Sequence, residues 1–100
     1  MLENDSLLLI FFSSVRSGPA RRMDSLIAQV VRKERRYVRL LQVDIDERPD
    51  LTDRFGIRAA PALILVKQGL VVERIDGRMT AAEIERLLEA HLIDEAREAV

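Results

Sequence analysis

The 100-residue sequence contains no cysteine, and it contains only one histidine, His91. Without cysteine the chain has no disulfide, no thiolate metal site and no thiol nucleophile of its own. His91 falls near the end of the last predicted helix, and the sequence shows no partner that would orient it as a base, so we interpret it as structural. The sequence therefore predicts no catalytic residue, no metal site and no cofactor.

Strong charge of either sign is also missing, since the formal net charge is −1. Such a balance gives no general attraction to nucleic acid or to an anionic membrane surface. The longest apolar run, Leu7–Phe12, is too short to span a bilayer, and the acidic start Met1–Asp5 lacks the basic region of a signal peptide. We therefore expect a cytoplasmic globular protein with a single domain over residues 1–100 and a core over about residues 6–92.

What the chain does contain is a clear alternation of strand and helix patterns. The predicted elements are a strand Leu7–Phe12, a helix from Pro19 with Ser17 as its cap, a strand Tyr37–Ile45, a short helix Pro49–Phe55, strands Ala62–Val66 and Leu70–Ile75, and a last helix that begins after Thr80. The order β-α-β-α-β-β-α predicts an α/β fold with a mixed four-stranded sheet and helices on both faces. The first crossover should be parallel and the hairpin at Gln68-Gly69 antiparallel.

The loop that follows the first strand occupies the place where α/β proteins usually carry their chemistry. Its residues, Phe12 to Met23, include none that could perform redox or acyl-transfer chemistry without help. Ser17 has no histidine within range in the sequence and no Gly-x-Ser-x-Gly context, so we interpret it as a helix cap and not a nucleophile.

A second polar stretch is acidic and follows the second predicted strand. Its members are Asp44, Asp46, Glu47, Asp50 and Asp53. Their spacing lacks the glycine and the terminal glutamate of a calcium loop, so we interpret them as turn and helix-cap residues.

Four blocks, in this order, resemble the thioredoxin family. Ser17-Gly18-Pro19-Ala20 is similar to the Cys-Gly-Pro-Cys motif, with Ser17 and Ala20 in the two cysteine positions. Val43–Pro49 resembles the family's next strand and turn, and Phe55–Leu63 resembles its Tyr-Gly-Ile-Arg-x-x-Pro-Thr block. The hairpin Lys67-Gln68-Gly69 and the later Gly77 complete the likeness, which implies a thioredoxin-like fold.

The positions at which this sequence departs from the family pattern are those that serve the redox chemistry of the family. Phe11 stands in the position of the family's buried aspartate, Arg16 in that of its tryptophan, and Gln42 nearest to that of its lysine. Because dithiol exchange needs an attacking thiolate and a resolving thiol, the resemblance implies a protein that is inactive in redox chemistry and not an enzyme.

The resemblance also implies where the chain could bind a partner. It predicts a cis Ala60–Pro61 bond, and in relatives the backbone before this proline pairs with an extended peptide. The predicted groove residues are Arg16, Ser17, Arg58, Ala60, Pro61 and Gly77, beside the former cysteine positions Ser17, Gly18, Pro19 and Ala20. We also expect Arg16, Arg21, Arg22 and Arg58 to gather near the start of the first helix, either as an anion site or as a solvated basic rim.

These features support a protein-binding or chaperone-like module that holds an extended segment of another protein. Two alternatives stay open: a component related to thiol–disulfide oxidoreductases in redox homeostasis that depends on a partner's thiols, and a structural dimerisation domain. The chain begins almost at its first strand, so the 37–45 strand is expected at a sheet edge, where a homodimer could form.

Overall fold

The computed structural model describes residues 7–99, with side chains described as far as Leu92. The elements are β1 Leu7–Ser13, α1 Gly18–Lys33, β2 Val38–Asp44, α2 Pro49–Arg54, β3 Ala62–Lys67, β4 Leu70–Asp76 and α3 Ala81–Ala99. The predicted order of elements is confirmed. The expected start of the core at residue 6 and the last residue, Val100, lie outside the described residues.

The four strands form one mixed sheet in the order β2-β1-β3-β4, as predicted. Strand β1 pairs in parallel with β2 and antiparallel with β3, while β3 and β4 form an antiparallel hairpin. Gln68 and Gly69 at its turn both have positive φ, 52° and 79°, which matches the right-handed twist of the strands. Within residues 7–99, strands β2 and β4 are therefore the two edges of the sheet.

Both faces of the sheet are covered by helices. On one face, α1 and α3 pack over side chains such as Leu9, Phe11 and Leu65. The opposite face carries Ile10, Phe12 and Ile64 against the region of α2. Successive strand residues point to opposite faces, so the continuously apolar run of β1 supplies both cores.

The helix ends follow the sequence signals, with small shifts. Ser17 caps α1, and Thr80 and Glu83 form a reciprocal capping box at α3, with Thr80 N–H to Glu83 Oε1 at 3.0 Å and Glu83 N–H to Thr80 Oγ1 at 3.2 Å. Helix α1 ends at Lys33, because the N–H groups of Tyr37 and Val38 both donate to the carbonyl of Glu34 and form a turn. Within residues 7–99, every helix is too short or too polar to cross a membrane.

Candidate functional site

The buried side chain of Ser14 holds the loop between β1 and α1 in place. This residue is only 6% exposed. Its hydroxyl donates to Asp46 Oδ2 at 2.8 Å and accepts the N–H of Arg16 at 3.1 Å, and its carbonyl accepts the N–H of Ser17 at 3.1 Å. A buried hydroxyl with all of these partners orders the loop. Sequence reasoning missed Ser14, because its partner Asp46 lies 32 residues away.

Ser17, in the first of the two former cysteine positions, joins two loops. Its hydroxyl accepts the N–H of Ala20 at 3.2 Å, which caps α1, and it donates to the carbonyl of Ala60 at 3.4 Å. The predicted capping role is therefore confirmed. The hydroxyl is thus both a donor and an acceptor in contacts within the chain, and Ser17 lies beside the loop of Pro61.

The Pro61 loop forms the second wall of the site. The Ala60–Pro61 peptide bond is cis. Pro61 is buried, and its carbonyl accepts the N–H of Gly77 at 2.9 Å. Among the described residues, none accepts a hydrogen bond from the backbone N–H of Ala59 or Ala60. The loop thus presents two adjacent residues with N–H donors that the described chain leaves unused.

A cleft of about 480 Å³ lies beside this loop. Its lining residues are Gly56, Arg58, Ala59, Ala60, Pro61, Arg74, Asp76 and Gly77. Four of the predicted groove residues, Arg58, Ala60, Pro61 and Gly77, are therefore brought together. The cleft carries charges of both signs.

Arg74 is a cleft residue that sequence reasoning missed. One nitrogen of its guanidinium, Nη1, donates to the carbonyl of Phe55 at 2.5 Å, and the other, Nη2, donates to that of Gly56 at 2.7 Å. Arg74 pairs across the sheet with Ile64, which places it on the α2 face of β4. A planar fork that reaches two carbonyls fixes the end of α2 against β4. The alternation of side chains along β4 could have placed Arg74 on this face of the sheet. It could not have identified the two carbonyls that Arg74 binds.

The predicted cluster of four arginines is distributed over more than one surface. Arg58 lines the cleft, whereas Arg21 and Arg22 line a separate depression with Gly18 at the start of α1. Arg16 is exposed and lines neither depression. It follows Val15, an apolar side chain that is 71% exposed at the loop tip. Only Arg58 of the four is in a position to face a ligand in the cleft.

His91 has a partner that the sequence did not show. Its Nε2 lies 3.0 Å from Glu73 Oε2, which links α3 to β4. Glu73 and Arg74 are successive strand residues and point to opposite faces, so the His91 pair is on the far side of the sheet from the cleft. Within the described residues, no group of three or more histidine or acidic side chains could hold a metal ion.

Comparison with known proteins identifies relatives that match most of the chain. The profile of the family described as Thioredoxin matches residues 1–90. Thioredoxin 1 from a Nostoc species is 26% identical over 92 residues, which cover 92% of this chain and 86% of the relative. Thioredoxin H2 from Arabidopsis thaliana is 36% identical over 75 residues, or 75% of this chain and 56% of the relative.

A similar result comes from solved structures. The crystal structure of a thioredoxin from Nicotiana alata superposes with a TM-score of 0.82 at 30% sequence identity. The superposition covers 90% of this chain and 76% of the Nicotiana alata protein. The sequence comparison and the structural comparison therefore both identify thioredoxins as the relatives of this chain.

Proposed function

The chain belongs to the thioredoxin family, and we propose that it is a peptide-binding, chaperone-like member that carries out no thiol–disulfide exchange. It holds an extended segment of another protein in the cleft beside Pro61. The observation that carries this proposal is the pair of unused N–H groups at Ala59 and Ala60 on the wall of an open cleft.

The proposal that the chain performs no redox chemistry is supported by its sequence, which contains no cysteine. Exchange requires a thiolate that attacks a disulfide and a second thiol that resolves the mixed disulfide. Ser17 and Ala20 stand in those positions, and the Ser17 hydroxyl caps α1 and contacts the Ala60 carbonyl. Phe11, at the place of the family's buried aspartate, is fully buried in the apolar core. No proton-accepting side chain remains there to serve a thiol.

Backbone recognition is what the Pro61 loop is suited to. An extended segment that lies along the loop gains main-chain hydrogen bonds at Ala59 and Ala60, as in other cases of strand addition. Ala59 and Ala60 have only methyl side chains, which leave room for the backbone of a ligand to approach. Main-chain bonds of this kind supply affinity without reading the sequence of the ligand, which fits a chaperone-like role.

Charge and apolar surface supply the selectivity. Arg58 is exposed in the cleft, and no described residue forms a side-chain hydrogen bond or ion pair with it. Arg74 donates to the carbonyls of Phe55 and Gly56 and pairs with Asp76 at 3.5 Å, so its guanidinium has fewer donors left for a ligand. Val15 offers an exposed apolar contact at the neighbouring loop tip. We therefore propose that the bound segment is extended and carries an acidic side chain opposite Arg58.

The redox part of the proposal is tested by insulin reduction with dithiothreitol. The expected rate equals the rate of dithiothreitol alone, because the chain supplies no thiol. Turnover above that background would contradict the proposal and favour the alternative of a protein that uses a partner's thiols.

The binding part is tested with an array of short extended peptides that vary in acidic and apolar content. Peptides with an acidic residue should bind, and Arg58→Glu should weaken that binding at least tenfold because it reverses the charge in the cleft. Arg32→Glu, at the distant end of α1, is the matched control and should leave binding unchanged. If no peptide binds, or if both variants weaken binding equally, the cleft is not the site.

A further inference from the structure

Strand β2 is a sheet edge whose outward backbone groups are defined by its bonds to β1. The N–H of Leu7 donates to the carbonyl of Tyr37 at 2.8 Å, and the N–H of Ile45 donates to the carbonyl of Ser13 at 3.0 Å. Strand residues alternate in the direction of their backbone groups, so the odd-numbered residues of β2 bond to β1. The even-numbered residues, Val38, Leu40, Gln42 and Asp44, therefore direct their N–H and C=O groups away from the sheet.

Two of these outward groups are already used by turns. The N–H of Val38 donates to the carbonyl of Glu34 at 2.9 Å. The carbonyl of Asp44 accepts the N–H groups of Glu47 and Arg48, at 3.1 and 2.9 Å. Six groups remain without a bond to the described chain: the carbonyl of Val38, both groups of Leu40, both groups of Gln42 and the N–H of Asp44.

We propose that this edge pairs antiparallel with β2 of a second copy of the chain, about a two-fold axis at Leu41. In this register Leu40 faces Gln42 of the second copy, and the two residues exchange both of their hydrogen bonds. Val38 faces Asp44 of the second copy, so the free carbonyl of Val38 meets the free N–H of Asp44. All six free groups of each chain are then paired.

The two occupied groups fit the same register. The N–H of Val38 and the carbonyl of Asp44, which the turns already use, face each other across the axis. A register centred on Leu40 or Gln42 would set one of these occupied groups against a free group. The register centred on Leu41 is therefore the one that the turns at both ends of β2 favour.

Side chains at the centre of the pairing are apolar. Leu41 is 42% exposed, although it lies in a strand of the sheet. At the two-fold axis it meets Leu41 of the second copy in a pair without mutual backbone bonds, where side chains approach most closely. Burial of this leucine pair removes apolar surface from water on both chains.

The turns at the two ends of β2 carry opposite charges, and this selects a second copy as the occupant. Arg35 and Arg36 precede the strand, whereas Asp46 and Glu47 follow it, and all four are exposed. Antiparallel pairing sets the basic turn of each chain beside the acidic turn of the other. Parallel pairing would set like charges together. The charges of the turns thus favour the same antiparallel arrangement that the two-fold axis at Leu41 requires.

The other edge of the sheet is less suited to such pairing. Strand β4 exposes Leu70, Val71 and Val72, but its pairing with β3 shifts register between Leu65 and Val66. A bulge of this kind twists an edge and interrupts its row of backbone groups. The two edges therefore make different predictions for mutation.

Light scattering after gel filtration tests the dimer directly. The expected mass at high micromolar concentration is twice the 11.4 kDa of the chain, and it should fall towards the monomer on dilution. A monomeric mass at millimolar concentration would overturn the inference and leave the edge to a different protein.

Variants at the edge locate the interface. Leu41→Lys places two like charges at the axis, and Gln42→Pro removes an outward N–H without affecting the bonds to β1; both should give monomers at the wild-type dimer concentration. Val71→Lys on β4 is the matched control and should remain dimeric. Circular dichroism checks that each variant folds, and Leu41→Lys decides the matter if Gln42→Pro does not. A dimer that survives Leu41→Lys, or that only Val71→Lys disrupts, would contradict the interface.

A charge swap tests the antiparallel register. Arg35→Glu sets like charges against Glu47 of the second copy and should weaken dimerisation, while Arg35→Glu combined with Glu47→Arg should restore it. Failure of the double variant to recover would contradict the register. None of these residues lines the cleft beside Pro61, so the outcome is independent of the peptide-binding proposal.

Discussion

Ser17 connects the start of α1 to the loop of Pro61, although it stands in a position that the family uses for a cysteine. One oxygen atom accepts the Ala20 N–H and donates to the Ala60 carbonyl. The same atom that would be a sulfur in a redox-active relative thus has a purely structural use. At the scale of the residue, a serine here lacks the reactive thiol of a cysteine, and its hydroxyl instead bonds to two loops that border the cleft.

This view predicts a measurable effect for Ser17→Ala. Loss of the cap and of the contact with Ala60 should lower the free energy of unfolding by about 1 kcal/mol, the usual effect of removing a capping hydroxyl. Urea denaturation followed by circular dichroism measures this change. Ser25→Ala, at an exposed position within α1, is the control and should leave stability nearly unchanged. Equal stability of the two variants would contradict the structural role of Ser17.

Arg74 shows how one side chain unites two elements. It lies on β4 and reaches the carbonyls of Phe55 and Gly56 at the end of α2, a helix of six residues with no buried side chain of its own. Gly56 has a φ of 65°, which allows the chain to turn sharply where the guanidinium binds. At the scale of the element, the two hydrogen bonds of Arg74 hold the end of α2, in addition to the packing of Leu51 and the adjoining Phe55 against the sheet.

We expect Arg74→Met to loosen α2 while the rest of the sheet stays intact. The methionine keeps the apolar stem but loses both hydrogen bonds, so local stability should fall by about 1 kcal/mol. Amide hydrogen exchange should become faster in α2 and its flanking turn, with little change in β1. Arg54→Met, on an exposed position of α2 itself, is the control. Unchanged exchange in the Arg74 variant would show that α2 is held by other contacts.

The capping box of α3 gives the fold a dependence on acid. The pKa of Glu83 is lowered from its ordinary value of 4.5, first because its carboxylate accepts the backbone N–H of Thr80, and then because of the Thr80 side chain. A carboxyl group with a lowered pKa stabilises the folded state above its ordinary pKa, and this contribution is lost as the pH falls through the folded value.

The melting temperature should therefore decrease less steeply with acid in Glu83→Gln than in the wild type. The glutamine oxygen still accepts the Thr80 N–H but cannot titrate. Thermal unfolding followed from neutral pH to below pH 4.5 measures the difference. Glu89→Gln, further along α3, serves as the control. Identical pH profiles for Glu83→Gln and the wild type would contradict the role of the capping box.

The sequence predicted the elements well because their signals are local. The apolar run of β1, the Ser17 cap and the Thr80–Glu83 box each act within a few residues, and each is present in the structure. The predicted element ends differ from the observed ones by one residue, as at Val38, where β2 begins after the turn at Glu34.

The contacts that shape the site are different in kind. Ser14 with Asp46, Arg74 with Gly56 and His91 with Glu73 join residues 18 to 32 positions apart. Such pairs depend on how the elements meet in space, and no periodicity along the chain encodes them. The position of the cleft could be predicted from the resemblance. The bonds of Arg74 to the carbonyls of Phe55 and Gly56, on one wall of the cleft, could not.

At the scale of the whole molecule, the sheet separates two surfaces. The cleft lies beside Pro61 and β4, at one edge of the sheet, whereas β2 forms the other edge. A dimer through β2 would leave both clefts accessible and, because the pairing is antiparallel, place them at opposite ends. Two separate sites on one rigid assembly would favour partners with more than one exposed segment through a raised effective concentration.

The central claim, that the backbone at Ala59 and Ala60 captures an extended peptide, is tested most directly by two-dimensional NMR of the ¹⁵N-labelled protein. A peptide selected by the array is added in steps while each backbone amide is followed. We predict that the amide signals of Ala59 and Ala60 shift most and become protected from hydrogen exchange, while those of Leu40 and Gln42 do not move. A peptide that binds but shifts Arg21 and Arg22 or the β2 edge, and leaves Ala59 and Ala60 in place, would contradict the claim.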